Sequence, residues 1–484
     1  MSDDPTAPTG PELGVCYYPE HWPEDAWAAD ARRMREMGLT RVRIGEFAWS
    51  RIEPDPGRFE FAWLDRAVTT LADAGLKVIL GTPTATPPKW LVDQMPDMRA
   101  VAADGTVRDF GSRRHYDFTH AGYRREAARI TKAVAERYGQ HDAVTAWQID
   151  NEYGCHDTTL SYSESARAAF ADWLRRKYET IDRLNAAWGT VFWSMELRSF
   201  DEVTLPNLTV TEPNPAHVLD FRRFSSDAVA TFHRQMVAIV KRHAPGRAVT
   251  HNFMGAETGF DHFDVARDLD VASWDSYPLG FLERLGRDAA WKSWYLRAGD
   301  PDFQAFHHDL YRGVGRGRMW VMEQQPGPVN WAAWNPSPHP GMVRLWALEA
   351  VAHGAGLVSF FRWRQAPFAQ EQFHTGLLRS DGSDDVAASE VRETADDLKT
   401  LAPSLSPEPP TSPIALVFDY PSAWLLETQP QAADASGLIA ALEVYRALRR
   451  LGQSIDVVGP DADFSRYRLV VVPQLVIATE AFAD

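Results

Sequence analysis

The chain lacks the features that anchor several common protein classes. Its 484 residues include two cysteines, Cys16 and Cys155, too few for a disulfide framework or a four-cysteine zinc site. No run approaches the roughly 18 consecutive apolar residues of a transmembrane helix. Basic residues are in deficit, with 50 Lys and Arg against 66 Asp and Glu and a net charge of -16. That balance excludes the basic footprint of a nucleic-acid binder and suits an anionic membrane surface no better. The opening Met1-Ser-Asp-Asp-Pro-Thr-Ala-Pro-Thr-Gly10 has neither the basic nor the apolar region of a secretory signal, so the cytoplasm is the expected location. A neutral substrate is left open.

What is present is apolar mass and tryptophan. Apolar residues reach 45%, enough for a large core, and there are 18 Trp. Most indoles belong in that core, but a few are expected to line a site, because the flat ring stacks on the C–H face of a sugar. The length exceeds one ordinary domain and suits a barrel plus a further module.

Residues 1–11 read as a disordered Pro/Thr/Asp-rich tail. Apolar runs at 13–18, 41–44, 77–80, 144–149, 248–252, 271–274, 319–322 and 357–361 read as strands. Amphipathic helices alternate with them at 24–37, 63–74, 122–138, 163–178, 228–243 and 341–353. Such alternation implies a parallel sheet. An open doubly wound sheet would carry a Gly-rich loop after its first strand. None is present, and eight units over residues 12–400 favour a closed (β/α)8 TIM barrel, with a helical insertion at about 160–245. Residues 401–412 form a Pro/Ser linker. Residues 413–484 read as an incomplete, flavodoxin-like α/β domain, with strands at 414–418, 455–458 and 469–472 and a helix at 437–451.

Catalytic groups of such barrels sit where strands end. The fourth strand ends Trp147-Gln-Ile-Asp-Asn-Glu-Tyr-Gly154, and the seventh ends Trp320-Val-Met-Glu-Gln-Gln-Pro-Gly327. Each places a glutamate, Glu152 or Glu323, directly after a buried run. Burial and a neighbouring carboxylate raise a carboxyl pKa, and a pair with separated values is what glycoside cleavage requires. The plain alternative for either glutamate is a loop ion pair. Asn151 precedes Glu152, where an amide can hydrogen-bond a sugar 2-hydroxyl. Asn-Glu after the fourth strand with Glu after the seventh matches the clan A retaining glycosidases.

Further segments narrow the match. Gly14-Val-Cys-Tyr-Tyr-Pro-Glu-His-Trp22, Ile44-Gly-Glu-Phe-Ala-Trp-Ser-Arg-Ile-Glu-Pro54, Gly111-Ser-Arg-Arg-His-Tyr116, Asp275-Ser-Tyr-Pro278 and Glu323-Gln-Gln-Pro-Gly-Pro-Val-Asn-Trp331 resemble glycoside hydrolase family 42, the β-galactosidases. The resemblance implies a retaining enzyme that releases terminal β-D-galactose, with Glu152 as acid/base and Glu323 as nucleophile. It implies Arg113, Asn151 and Tyr277 as binding residues, Trp331 as an aromatic platform, and Glu371 and His374 as the pair holding galactose hydroxyls. Arg113 or its neighbour Arg114 could instead form a structural ion pair, and His374 could be an ordinary loop histidine. No cofactor is expected. Some members bind zinc through a cysteine cluster; here Tyr153-Gly-Cys-His-Asp157 holds one cysteine, and no metal is expected. The family's α/β domain builds a homotrimer. An α-L-arabinopyranosidase or another clan A β-glycosidase is the neighbouring reading, and a non-catalytic carbohydrate-binding barrel the distant one.

Overall fold

The computed structural model describes residues 10–406, 408–432 and 435–483. Positions 1–9 of the expected tail lie outside them. Among the described residues, nine parallel strands form one sheet: β1 (Glu12–Cys16), β2 (Arg41–Ile44), β3 (Lys77–Gly81), β4 (Val144–Gln148), β5 (Ala248–Thr250), β6 (Asn252–Met254), β7 (Ala272–Ser276), β8 (Met319–Gln324) and β9 (Ala355–Phe360). Their order is β5-β4-β3-β2-β1-β9-β8-β7-β6. The ends of that row, β5 and β6, are successive halves of one stretch of chain. The sheet therefore closes on itself as the expected (β/α)8 barrel.

The run 248–252 predicts one strand, and the structure has two. Up to Thr250 the backbone pairs with β4; from Asn252 it pairs with β7. His251 sits at the changeover. Its Nδ1 lies 2.8 Å from the Ile149 carbonyl, and its ring stacks on Tyr153 at 4.0 Å between centroids. Its own carbonyl accepts from the Ser273 N–H on the β7 side at 3.2 Å. Side chain and backbone thus tie this residue to opposite neighbours, which breaks the ladder.

Strand periodicity sorts the barrel interior into layers. Ile79, Ala146, Met322 and Leu357, from β3, β4, β8 and β9, form a buried apolar cluster. Two residues further along, the same faces carry Gly81, Gln148, Gln324 and Ser359, because side chains alternate along a strand. The interior therefore turns polar toward the C-terminal strand ends, where the site forms.

Helices cover the outside, and several run past their expected bounds. The helix expected at 228–243 spans Pro215–His243, because Asn214 caps it and Pro215 takes the first turn, where its missing N–H costs nothing. The 24–37 helix is a short 3-10 turn followed by Trp27–Glu36. Two helices not anticipated are Pro301–Val314, capped by Asp300, and Val386–Leu401. Within residues 160–245, helices Glu164–Tyr178 and Ile181–Trp188 and the start of Pro215–His243 share their own core of Phe170, Leu174, Leu184, Trp188 and Phe221. No helix of the described residues is long and apolar enough to cross a membrane.

Beyond residue 412, β10 (Ile414–Val417), β11 (Ile455–Val458) and β12 (Leu469–Val471) form a second parallel sheet in the order β11-β10-β12. It docks on the barrel through buried charge. Arg312 donates to Asp456 Oδ1 at 2.9 Å, and Arg446 to Asp300 at 2.6 Å. Gly313, in helix Pro301–Val314, has its Cα against the Val457 carbonyl, and a methyl there would collide with that oxygen. Gly313→Ala is expected to lower stability by about 1–3 kcal/mol through overpacking, read from the shift of a urea-unfolding midpoint.

Candidate active site

The segment after β4 turns sharply. Asp150 and Glu152 have φ of 54° and 45°, a left-handed conformation that costs a non-glycine residue about 1–3 kcal/mol. The side chain of Asp150 holds the turn: its carboxylate accepts from Thr84 Oγ1 at 2.6 Å, Tyr116 Oη at 3.0 Å and Arg114 Nη1 at 2.8 Å. Arg114 is therefore the structural member of the arginine pair. Arg113 is left to reach Glu152, with Nη2 3.0 Å from Oε2.

Asn151 is fully buried behind Glu152 and donates from Nδ2 to its Oε2 at 3.1 Å. Asn252, the first residue of β6, fixes that amide. It donates to Asn151 Oδ1 at 3.0 Å and to Asp275 Oδ2 at 2.8 Å, and accepts from the Glu152 N–H at 3.3 Å. The split of the fifth strand thus brings an amide under the acid that ends the fourth.

Glu323, at the end of β8, is gripped from both sides. Arg43 of β2 donates to Oε1 at 2.6 Å, and Tyr277 donates to Oε2 at 2.5 Å. Arg43 has no exposed side-chain surface; it also ion-pairs Glu46 at 3.0 Å and donates to Gln148 Oε1 at 3.1 Å. The carboxylates of Glu152, Glu323 and Asp275 each have an oxygen within 4.8 Å of the others. That spacing would suit a cation, but the guanidinium groups of Arg43 and Arg113 already bring positive charge to these oxygens.

A cavity of about 860 Å³ opens above them, in the size range of small-molecule sites. Seven of the eight residues expected from the sequence line it: Arg113, Glu152, Tyr277, Glu323, Trp331, Glu371 and His374. Asn151 lies beneath. Trp331 stands at the wall with its edge toward Tyr277, centroids 5.5 Å apart. At the other end, Arg362 lies 3.4 Å from Glu371 Oε2 and 2.7 Å from His21 Nδ1, and His374 packs edge-on against Phe361 at 4.8 Å.

Arg43, Asn252, Asp275, Arg362 and His21 were given no role from the sequence. His21 and Asp275 lie inside motifs that carried the family resemblance, which was the one signal available. Arg43 lies mid-strand, where a charged residue reads as outward-facing.

Burial sets the electrostatics. It raises the Glu152 carboxyl; Arg113 pulls against that and Glu323 adds to it. It drives Asp275 well above the usual carboxyl range, reinforced by Glu323 and Glu152. Burial likewise lowers His374, and lowers His21 to about 4 with help from Arg362.

The family model for β-galactosidases of glycoside hydrolase family 42 matches residues 16–401. The chain belongs to this family. A second model, the β-galactosidase trimerisation domain, matches residues 412–484. A β-galactosidase of Thermus thermophilus is 59% identical over 476 residues, covering 98% of this chain and 73% of that protein. The crystal structure of a β-galactosidase from the psychrophilic Marinomonas ef1 aligns with a TM-score of 0.96 at 55% identity, over 97% of this chain and 73% of that one. That of Halorubrum lacusprofundi aligns at 0.94 and 46%, over 98% and 70%. As a member of family 42, this chain is a glycosidase.

Proposed function

We propose that the enzyme releases terminal β-D-galactose from β-galactosides with retention, through a covalent galactosyl-enzyme on Glu323. The observation that carries the reading is the closeness of the Glu152 and Glu323 carboxylates, whose oxygens approach within 4.8 Å. Retaining enzymes hold their carboxyl groups about 5–5.5 Å apart, and inverting ones leave roughly 6.5–9.5 Å for a water.

Glu323 attacks the anomeric carbon from one face while Glu152 gives its proton to the departing glycosidic oxygen. Arg43 and Tyr277 hold Glu323 by both oxygens, so its attack requires no search among rotamers. Beside burial, the charge on Glu323 is one of the causes that raise the Glu152 carboxyl. Ester formation removes that charge. Glu152 then falls toward its ordinary value beside Arg113 and serves as the base that takes a proton from the incoming water. One residue acts as acid and then as base, because its neighbour changes charge between the steps.

Galactose specificity rests on Glu371 and His374, supported by Arg362 and His21. A carboxylate accepts from two adjacent hydroxyls, and an imidazole reaches an axial one. Trp331 supplies a flat apolar wall for the ring. Asn151 holds Glu152 and has a second amide hydrogen for the sugar 2-hydroxyl. The match of residues 412–484 to a trimerisation domain supports a homotrimer; light scattering should return three times the 54.4 kDa chain mass, and a monomer mass would exclude it.

Glu323→Ala is expected to lose nearly all turnover of nitrophenyl β-galactoside, with azide giving only the inverted α-galactosyl azide. Glu152→Ala should be rescued by azide to the retained β-galactosyl azide, and product NMR distinguishes them; the opposite pattern would exchange the two roles. The acid form of Glu152 is needed in the first step and its pKa is raised. Activity should therefore persist above the usual glutamate range and fall as pH rises through the shifted value. That alkaline limb of kcat/KM should vanish in Glu152→Gln assayed with dinitrophenyl β-galactoside, whose leaving group requires no proton.

A further inference from the structure

The reaction outlined above leaves one central carboxyl unused. Asp275, in β7, is 1% exposed, and one of its oxygens lies within 4.8 Å of both Glu152 and Glu323. Each of those glutamates touches a guanidinium: Arg43 for Glu323 and Arg113 for Glu152. Asp275 enters none of the ion pairs found among the described residues. Its Oδ2 accepts from a neutral amide, Asn252 Nδ2, at 2.8 Å.

The hydrogen bonds locate a proton. Asn252 Oδ1 accepts from the Glu152 N–H, and its Nδ2 donates to Asn151 Oδ1 as well, so the amide cannot be turned round without losing these bonds. Asp275 Oδ2 is therefore an acceptor. Oδ1 is buried and has no partner. A third negative charge here would face two others at close range without a cation, on a carboxyl that is itself buried. A neutral acid with its hydrogen on Oδ1 removes the repulsion and uses the orphaned atom. Glu323 has both oxygens engaged by Arg43 and Tyr277. On Glu152, Asn151 and Arg113 take Oε2 and leave Oε1.

We propose that Asp275 is a neutral acid that donates from Oδ1 to Glu152, a positioning residue that steadies the carboxylate formed when Glu152 has released its proton. The inference rests on the acid/base assignment of Glu152. Asp275 gives up no proton: it holds the base in place while water attacks the galactosyl ester.

Asparagine mimics this neutral acid, with an oxygen to accept from Asn252 and an N–H to donate to Glu152; leucine fills the space without a donor. With dinitrophenyl β-galactoside, whose good leaving group speeds the first step and so exposes the second, Asp275→Leu should lower kcat by about 100-fold, with KM falling alongside as the galactosyl-enzyme accumulates. Asp275→Asn should restore kcat to within about 10-fold of the wild type. An infrared difference spectrum of wild type against Asp275→Asn should contain the C=O stretch of a protonated carboxylic acid. The proposal is overturned if the asparagine variant is as slow as the leucine variant, if leucine is tolerated at wild-type rate, or if the band is absent. Should the leucine variant fail to fold, the asparagine rate and the band still decide. Loss of azide rescue in Glu152→Ala would strike the acid/base assignment itself. An inactive Asp275→Asn in an enzyme that keeps that rescue strikes only the role of Asp275.

Discussion

Arg43 is the interaction on which the rest of the site depends. It lies inside the barrel with no exposed side-chain surface, between Glu46 and Glu323 and beside Gln148. Removing a charge from water is costly unless its partners surround it. Here the guanidinium has a partner at each edge, and it holds Glu323 at the bottom of the cavity.

From that fixed charge the remaining geometry follows outward. Arg43 and Tyr277 hold Glu323, and its nearness adds to burial in raising the Glu152 carboxyl. Glu152 is itself set by a left-handed turn that Asp150 pins to Thr84, Tyr116 and Arg114. Asn252 then links the acid, the amide of Asn151 and Asp275 through both ends of one side chain. The backbone changes partner at His251, and that is why this amide faces inward. A break in a strand and a chemical site are thus one feature.

The barrel was legible because its signals are local. Eight apolar runs alternating with amphipathic helices can be counted along the chain, and Glu152 and Glu323 follow directly from where two runs stop. Asn214-Pro215 is a helix start written in two residues, yet the expected helix began only at 228. The helix Pro301–Val314 was missed because most of its faces are buried, which erases the amphipathic period that marks a surface helix. The split of the fifth strand was missed for a related reason. Its cause is contact between His251 and residues on either side of it, Ser273 of β7 and Tyr153 in the loop after β4, the latter almost a hundred positions earlier.

Strand ends, residue types and motif order determined by themselves that Glu152 and Glu323 come to one end of the barrel, since a barrel delivers its strand ends to one face. Only the tertiary structure decided which charges accompany them. Arg43 and Arg362 sit in strand and loop segments that carry no mark of their own. The choice of Arg113 over Arg114 for Glu152 turns on which one Asp150 has already claimed. Asp275 is an unremarkable aspartate in sequence; it becomes a third central carboxyl because β7 lies beside β8 and β6. Electrostatic roles are set by distances between residues far apart in the chain, and such distances exist only once the barrel has closed.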